Sequence, residues 1–237
     1  MTAADEFTRA AAALHSASVD DDLCAPFLSV LPVTGIAIST VGNPFGSETV
    51  CASDMTAARL DEIQLDLGEG PCWEAVQTGR PVLEPDVQRT TSSRWPVALE
   101  AMQATGLGAV FAFPMRLGTL DIGVVDLYTR TPSTLDPGPV RQAAALTEAA
   151  ARQVLRRALL HIESEADGTP ETAAGEYSRR EVHQAAGMLA AQTGAHVDDA
   201  LLILRGYAFA RGRSLRSLAA DVVARVVDFT DHNDDAL

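Results

Sequence analysis

Hydrophobic residues follow two different patterns along the chain. Near the N-terminus they recur three and four positions apart, which is the spacing of one helix face, and this continues up to Pro32. Further on, short runs rich in Val, Ile and Phe lie between turns that contain Gly or Pro, and they predict two β-hairpins with helices between them. The predicted elements are a helix at 1–31, strands at 33–39 and 48–53, helices at 55–65 and 71–78, a strand at 82–83, a helix at 95–104, strands at 109–115 and 118–128, and a helix at 139–163. This order predicts an α+β domain, in which helices pack on an antiparallel sheet.

The last quarter of the chain has a purely helical pattern. Ser178 and Glu181 have the S-x-x-E spacing of a capping box, and Ser214 can cap a later helix. Gly194 and Gly212 are placed to end two of the helices. The apolar stripes are Val182, Ala185, Ala186 and Leu189 on the first helix, Val197, Ala200, Leu201, Leu204 and Ala208 on the second, and Leu215, Leu218, Ala219, Val222, Val223 and Val226 on the third. Three short helices with facing stripes predict a small all-α three-helix bundle.

A segment of different composition separates the two patterns. Residues 163–175 are mostly small and polar and include turn-forming Gly and Pro, so we interpret them as a linker. The sequence therefore predicts a domain at 1–162 that includes the N-terminal helix, a linker at 163–175 and a second domain at 176–232.

The net charge of the 237-residue chain is −14, and the negative charge is concentrated in the first domain. Residues 177–230 hold seven Arg against five acidic residues, a net charge of +2. A chain this acidic resists non-specific adhesion to nucleic acid or to an anionic membrane, so any nucleic-acid contact must use a local patch. All 18 basic residues are Arg, whose planar guanidinium suits phosphates and base edges better than Lys does.

Cysteine usage and the N-terminal sequence indicate a cytoplasmic protein. Cys24, Cys51 and Cys72 are too few and too oddly numbered for a disulfide framework, which favours a reducing compartment. The N-terminus has no basic region before an apolar run, so no signal peptide is predicted. No apolar stretch approaches the ~20 residues that a bilayer span requires, so no membrane partner is expected.

A motif in the first domain resembles a known family. The residues are LGEGPCWEAV at 67–76 and TGRPV at 78–82, followed in order by WP at 95–96, FPM at 113–115 and IGVVDLY at 122–128. Over residues 15–162 this pattern resembles a GAF domain. The resemblance implies a GAF-like antiparallel sheet with packed helices and a sensor for a small-molecule or protein signal, with its binding residues unassigned.

No cofactor, metal site or catalytic site is predicted in this domain. No His lies between residues 16 and 160, so an internal haem ligand is lacking, as is the Cys–His pair of photoreceptor GAF domains. The chain has no Lys, so the asparagine–lysine–aspartate signature of cyclic-nucleotide-binding GAF domains is missing. Cys72 lies at a predicted helix start, where the dipole could lower its pKa, but without a nearby base packing is favoured over catalysis. We interpret Asp66, Glu69 and Glu74 as a solvated face.

The C-terminal helices resemble a second family. They carry EVHQAAGML at 181–189, DALLILR at 199–205 and LAADVV at 218–223, and over about 170–230 they resemble an ANTAR domain. That family binds RNA hairpins and prevents transcription termination, so the resemblance implies RNA stem-loops as partners. The candidate RNA-binding residues are Arg179, Arg180, His183, Gln184, Arg205, Tyr207, Arg211, Arg213 and Arg216.

The candidate residues match the chemistry by which hairpin loops are recognised. Splayed bases are read by stacking and hydrogen bonds, and phosphates are held by cations. Gln184 and Arg205 can form paired hydrogen bonds with a base edge, and Tyr207 offers a stacking face. The chain departs from the family at 185–187, where Ala-Ala-Gly stands in place of Ala-Lys-Gly and a cation is missing.

These observations predict a non-enzymatic, cytoplasmic regulator in which a GAF sensor controls an ANTAR output. A homodimer is expected, because the helix at 139–163 could pair between protomers together with the N-terminal helix. Its apolar stripe is Ala143, Leu146, Ala150, Val154 and Leu160. The main alternative is a protein-interaction module whose ANTAR fold no longer binds RNA, which Ala186 favours. A DNA-binding three-helix domain fits less well with a charge of only +2, and a redox enzyme fits less well without a His.

Overall fold

The structure is a computed structural model that describes residues 2–42, 44–91, 93–166 and 179–229, with side chains except at 161–166. The chain divides into two compact units, Met1–Ala173 and Ala174–Leu237. The finer boundaries at 162 and 176 stay predictions. Within the described ranges, no helix has both the length and the apolarity needed to cross a membrane.

The first unit contains one five-stranded sheet. Its elements are α1 (Ala3–Ser16), α2 (Ala25–Leu28), β1 (Gly35–Thr40), β2 (Glu48–Ala52), α3 (Met55–Leu67), α4 (Pro71–Thr78), β3 (Val82–Glu84), α5 (Pro96–Ala104), β4 (Ala109–Leu117), β5 (Leu120–Thr129) and α6 (Pro137–Ala166). The strand order is β2-β1-β5-β4-β3, and all neighbours are antiparallel. The predicted α+β class and both predicted hairpins are confirmed.

Helices cover both faces of this sheet, so strand residues alternate between two cores. Ile36, Ile38 and Phe111 belong to the core that the sheet shares with α1, α2 and α6. Ala37 and Val110, which point the other way, belong to the core shared with α3, α4 and α5. Because successive side chains of a strand point to opposite faces, a strand covered on both sides has no solvated positions. Accordingly, every residue of β1 is buried.

The N-terminal helix is shorter than the predicted 1–31. α1 ends at Ser16, and Ala17 has a non-helical ψ of 138°. In the irregular segment that follows, the N–H of Ser18 donates to the Asp21 carboxylate at 2.6 Å, and the N–H of Cys24 donates to Asp22 at 2.7 Å. Acidic side chains that bond nearby backbone N–H groups compete with the helix, which explains why the apolar spacing continues without a continuous helix.

The second unit is a three-helix bundle, as predicted. Its helices are α7 (Arg180–Thr193), α8 (Val197–Ala210) and α9 (Leu215–Val223). The buried stripes confirm most of the predicted core: Val182, Ala185, Ala186, Leu189, Ala200, Leu204, Ala208, Leu215, Leu218, Ala219 and Val222. Val197 and Val226 were wrongly placed in the core, because α8 only begins at Val197 and α9 ends three residues before Val226.

The helix ends of this bundle follow the predicted signals where the structure describes them. Gly194 ends α7 with a left-handed φ of 70°. Ser214 caps α9, because its side chain accepts a hydrogen bond from the N–H of Ser217. The predicted capping box depends on Ser178, which lies outside the described residues. The described N-cap residue, Arg179, makes no side-chain cap hydrogen bond.

The cysteine prediction is corrected by a disulfide between Cys24 and Cys51. The two residues are 27 positions apart, Cys24 just before α2 and Cys51 in β2. Cysteine number did not indicate this pairing, because it depends on where the N-terminal segment lies against the sheet. The inference of a reducing compartment therefore loses its support from cysteine count.

The stripe predicted to pair between protomers is part of the chain's own core. Ala143, Leu146, Ala150 and Val154 of α6 are fully buried against the sheet and the N-terminal helices. Leu160 alone of the five is exposed. The homodimer stays a prediction, but this stripe is not the surface that would form it.

Replacing Leu146 tests the role of that stripe. Leu146→Ala should lower the free energy of unfolding by about 2–5 kcal/mol, because it leaves a cavity in the core. Leu159→Ala, at an exposed position of the same helix, is the control and should change it by less than about 0.5 kcal/mol. Urea denaturation followed by circular dichroism measures both. Equal effects would show that the stripe is not core.

Candidate functional site

A buried group of polar side chains lies between the sheet and α3 in the first unit. Asp61 and Gln64 of α3 and Asp126 of β5 are fully buried, as is Ser39 of β1. Together with Thr49 of β2 we call them the acidic cluster. They lie on the same side of the sheet as the core that includes α3, α4 and α5, the side of Ala37 and Val124.

Hydroxyl groups from two strands hold the Asp61 carboxylate. The Ser39 hydroxyl donates to one carboxylate oxygen at 2.5 Å, and the Thr49 hydroxyl donates to the other. Hydroxyl donors stabilise a buried carboxylate because they replace part of its lost hydration. Asp61 therefore ties α3 to β1 and β2.

Gln64 connects Asp126 to the start of α4. Its amide nitrogen donates to Asp126 Oδ2 at 2.8 Å, and its amide oxygen accepts from the N–H of Cys72 at 2.8 Å. The other oxygen of Asp126, Oδ1, is buried and has no hydrogen-bond partner among the residues that the structure describes. Burial, and then the charge of nearby Asp61, raise the pKa of Asp126 well above the usual range of an aspartate. Asp126 therefore keeps its proton to a higher pH than an exposed aspartate does.

Cys72 has the properties of a packed residue. It is fully buried at the start of α4. Burial, and then the charges of Asp126 and Asp61, raise the pKa of its thiol well above the usual value. A protonated, inaccessible thiol is a poor nucleophile, so these effects outweigh any lowering of the pKa by the helix dipole.

Two acids of the 67–76 motif organise the helices and do not form a solvated face. Glu69 accepts hydrogen bonds from the N–H groups of Val97 and Ala98 at 2.7 Å each, and so caps α5. Glu74 accepts from the Trp95 indole at 2.8 Å and pairs with Arg94. These contacts correct the solvated-face interpretation of both residues.

Gly70 in the same motif lies where only glycine fits. Its φ is +134°, and a Cβ there would come within 2.7 Å of the Gln64 amide oxygen. That oxygen is the one that accepts from Cys72. The motif is therefore explained by the packing of the turn between α3 and α4.

The sequence reasoning missed Asp61, Gln64 and Asp126. Asp126 had a usable signal, since it is the only charged residue of the IGVVDLY run at 122–128. Asp61 and Gln64 had none, because their spacing on α3 does not show which face of that helix meets the sheet.

Asp22, Cys24 and Cys51 are a group of possible metal ligands that the described residues bring together, with one ligand atom from each lying within 4.8 Å of the others. The disulfide uses both sulfurs, so the closed pair offers no thiolate to a metal. The predicted lack of a metal site stays a prediction.

In the second unit, most of the candidate RNA-binding residues are accessible. Arg180, His183 and Gln184 are exposed on α7, and Arg211 is exposed at the end of α8. Arg205, Tyr207, Arg213 and Arg216 are partly exposed. Arg179 differs from the rest, because only 4% of it is exposed, and it does not belong to the accessible set.

Arg213 is held by acceptors on α9. One of its guanidinium nitrogens donates to Asp221 at 2.6 Å and to the hydroxyl and carbonyl oxygens of Ser217 at 2.8 and 3.1 Å. These contacts join the turn after α8 to α9. The guanidinium therefore has an internal structural role that the sequence did not indicate.

Tyr207 is also engaged within the unit. Its ring meets Phe229 edge-on, with centroids 5.0 Å apart. The guanidinium of Arg211 lies over the same ring, 4.1 Å from its centroid. One face of Tyr207 is thus covered by a cation, so a base would have to displace Arg211 to stack there.

The outward side of α8 carries large apolar side chains. Leu202 is 66% exposed, Ile203 is 43% exposed and Phe209 is 60% exposed. Arg205 lies three residues after Leu202 and four before Phe209, so the three share one side of the helix. We call Leu202, Arg205, Gly206 and Phe209 the α8 face. The sequence indicates this face by an aromatic residue, Phe209, which lies opposite the buried stripe of Ala200, Leu204 and Ala208.

Ala186, where the family pattern has Lys, lies inside the bundle. Only 1% of it is exposed, and it packs in the same core as Leu189 and Leu218. A Lys side chain at this position has to leave the core along the helix surface or bury an ammonium group. Ala186 is therefore suited to the packing of this bundle.

Asp126→Asn tests the protonation of the acidic cluster. The pKa of Asp126 in the folded chain lies above that of an aspartate in the unfolded chain. At pH values between the two, the folded chain keeps a proton that the unfolded chain has lost. The free energy of unfolding therefore falls as the pH rises through this range. The neutral Asn should therefore raise the unfolding free energy by on the order of 1 kcal/mol at about pH 7, and the gain should vanish toward about pH 4. Thermal unfolding across this pH range measures it, with exposed Asp136→Asn as the control. A loss of stability at neutral pH would show that the charged carboxylate is required.

Ala186→Lys tests the packing of the bundle. We expect it to lower the stability of the second unit by about 1–3 kcal/mol, because the core has no space for a longer side chain. Gln184→Lys, on an exposed position of the same helix, adds the same charge as a control. Hydrogen exchange of the α7 amides measures both. Unchanged protection in Ala186→Lys would contradict the buried position.

Comparison with known proteins bears on both units. A family model for the GAF domain matches residues 8–154, and one for the ANTAR domain matches residues 177–223. No curated protein matches the chain.

Solved structures resemble the first unit at low sequence identity. The GAF domain of an Acinetobacter phosphoenolpyruvate-protein phosphotransferase is 11% identical, with a TM-score of 0.50 over 71% of this chain and 97% of that one. The chromophore-binding domain of a bacteriophytochrome from R. palustris is 12% identical, with a TM-score of 0.49 over 66% of this chain and 62% of that one. A type II free methionine-R-sulfoxide reductase from Thermoplasma acidophilum is 15% identical, with a TM-score of 0.44 over 64% of this chain and 96% of that one.

The likeness to the Acinetobacter domain shows a shared fold and nothing about function. The GAF family match is stronger, because it spans more than half of the 237 residues and includes the sheet, α3 to α5 and most of α6. The ANTAR match covers α7 to α9. The chain therefore belongs to the GAF domain family, and an ANTAR domain follows its GAF domain.

Proposed function

We propose that this protein is a signal-responsive regulator whose ANTAR domain binds RNA hairpins and prevents transcription termination under the control of its GAF domain. GAF and ANTAR domains are sensor and regulatory domains, so the chain is a regulator with a sensor domain. The proposal includes RNA binding, antitermination and a cytoplasmic location.

The observation that carries the proposal is the match of residues 177–223 to the ANTAR domain. The structure adds support through the α8 face, where Arg205 lies between exposed apolar side chains. Proteins that recognise single-stranded loops combine stacking platforms with cations, because a splayed base has an apolar face and a charged backbone. Phe209 supplies such a platform, and exposed Arg180 and Arg211 supply cations.

The GAF domain is proposed to act as a sensor and not as an enzyme. Its one free cysteine, Cys72, is buried with a raised pKa. The acidic cluster has no histidine or lysine among its members, and burial raises the pKa of Asp126. These properties suit binding or structural roles better than nucleophilic chemistry.

The alternative is a protein-interaction module that no longer binds RNA. Two observations favour it: Arg179 is buried, and Arg213 is paired with Asp221. Both reduce the number of cations that can contact phosphate. The exposed Leu202 and Ile203 would also suit a protein partner. Hairpin binding decides between the two functions.

The α8 face gives the sharpest test of RNA binding. The full chain should bind an RNA stem-loop in preference to duplex DNA of equal length, measured by fluorescence anisotropy. Arg205→Ala should weaken binding by about 1–3 kcal/mol if the guanidinium meets a base edge, and Phe209→Ala should cost about 1–3 kcal/mol if a base stacks on it.

Exposed Arg152→Ala on α6 removes the same charge outside the ANTAR domain, so it serves as the control and should leave binding unchanged. Circular dichroism of each variant verifies folding. If the full chain binds no hairpin even at low salt, the alternative function as a protein-interaction module is favoured.

A further inference from the structure

The N-terminal segment at residues 15–24, which we call the strap, lies across the C-terminal half of α6. Three side chains of α6 donate to its backbone carbonyl groups. Gln153 donates to His15 at 3.1 Å, and Arg156 donates to Ala17 at 2.9 Å. Arg157 donates to the carbonyl oxygens of both Ser18 and Asp21. The strap thus holds α6 near its end, and α6 is the last described element before the predicted linker.

The Cys24–Cys51 disulfide fixes the end of this strap. Cys24 is the last residue of the strap and is 1% exposed. Cys51 is partly exposed and lies in β2, which is an edge strand of the sheet. The bond therefore joins the strap to an edge strand of the sheet, and Cys51 is the more exposed of its two residues.

The proposed function makes this bond unusual. A protein that binds nascent transcripts works in a reducing cytoplasm, where disulfides are rare and those that form are commonly transient and redox-sensing. A structural disulfide would not be expected to persist there. We propose that Cys24 and Cys51 form a reversible redox site, through which a peroxide and a small thiol control how firmly the strap holds α6. This inference rests on the proposed function and names the class of signal that the GAF domain receives.

The opening reaction needs only a small thiol. Its thiolate attacks Cys51 Sγ, the S–S bond breaks, and Cys24 leaves as a thiolate that takes a proton. A second thiolate then attacks the sulfur of the first reagent molecule in the mixed disulfide, which releases Cys51 as a thiolate that is protonated. The products are two protein thiols and one small-molecule disulfide.

The closing reaction needs a peroxide. The Cys51 thiolate attacks one oxygen of hydrogen peroxide, the O–O bond breaks, and hydroxide leaves to give a sulfenic acid. The Cys24 thiolate attacks that sulfur and displaces a second hydroxide, which closes the S–S bond. The two hydroxides and the two thiol protons form two water molecules, so two thiols are oxidised while one peroxide is reduced.

Opening the bond weakens the strap without unfolding the domain. Leu23 is buried in the core that includes α6, and the carbonyl contacts of the strap do not involve sulfur. However, the disulfide closes a loop between residues 27 positions apart, and a cross-link of this kind suppresses open states of the segment that it closes. The strap and the end of α6 should therefore open more often when the thiols are free.

Hydrogen exchange of the full chain tests the proposal. We compare the thiol-reduced form with the peroxide-oxidised form, and a chelator in every solution excludes a metal held by Asp22 and the thiols. Amides of residues 15–28 and 148–160 should exchange at least tenfold faster in the reduced form, whereas α9 should not change. Reoxidation with peroxide should restore the slow rates.

Two variants separate the redox site from general effects of the reagents. Cys51→Ser cannot form the bond and should exchange at the fast rate in both conditions. Cys72→Ser keeps the pair and should respond as the wild type does. Arg157→Gln keeps the bond but loses a strap contact, so it should speed exchange at 148–160 in the oxidised form as well. Equal exchange of oxidised and reduced wild type at 148–160 would overturn the proposal, even if Cys51→Ser fails to fold.

Hairpin binding by the same two forms separates this inference from the proposed function. An affinity that differs at least threefold between them supports the redox signal, and equal affinities overturn it as a signal while RNA binding stands. If neither form binds RNA, the proposed function fails, and the exchange data alone decide whether the pair controls the strap.

Discussion

When helices cover both faces of a sheet, the polar side chains of its central strands cannot reach water. Each of them therefore needs a hydrogen-bond partner within the protein. β1 is buried along its whole length, so Ser39 cannot be solvated. Its hydroxyl donates to Asp61, and Asp126 of the neighbouring β5 accepts from Gln64. The polar residues of the sheet therefore fix the position of α3, because unpaired polar groups at this depth are costly.

The position of α3 in turn determines the site in the GAF domain. Gln64 is bonded at both ends of its amide, to Asp126 and to the N–H of Cys72, so a shift of α3 would break both contacts. Its backbone carbonyl also accepts from the Trp73 indole at 2.8 Å. One helix face thus links β1, β5 and α4. The raised pKa values of Asp126 and Cys72 follow from this enclosure.

The sequence predicted most elements of the fold because periodicity reports which side of a helix or strand is buried. The stripes of α7 and α9 and both hairpins follow from that rule. It failed after α1, where Asp21 and Asp22 accept hydrogen bonds from backbone N–H groups of an irregular segment despite the apolar spacing. It also failed for α6, where an apolar stripe suits either the chain's own core or a second protomer, and periodicity alone does not distinguish them.

The candidate sites were less predictable, because they depend on contacts between elements far apart in sequence. Most of the RNA candidates are accessible, but the burial of Arg179 and the pairing of Arg213 with Asp221 become visible only when the bundle is assembled. The Cys24–Cys51 pair depends on the register of β2 and on the path of the strap. Phe209 was detectable as an aromatic residue on the side of its helix opposite the buried stripe.

Gly70 has a consequence for how this domain diverges. The motif around it is explained by a turn that only glycine can make and by a glutamate that caps α5. Selection for these features acts on folding, so they can persist while the ligand changes from one descendant to the next. Two proteins that share the motif therefore share this turn and helix cap, and their ligands have to be identified separately.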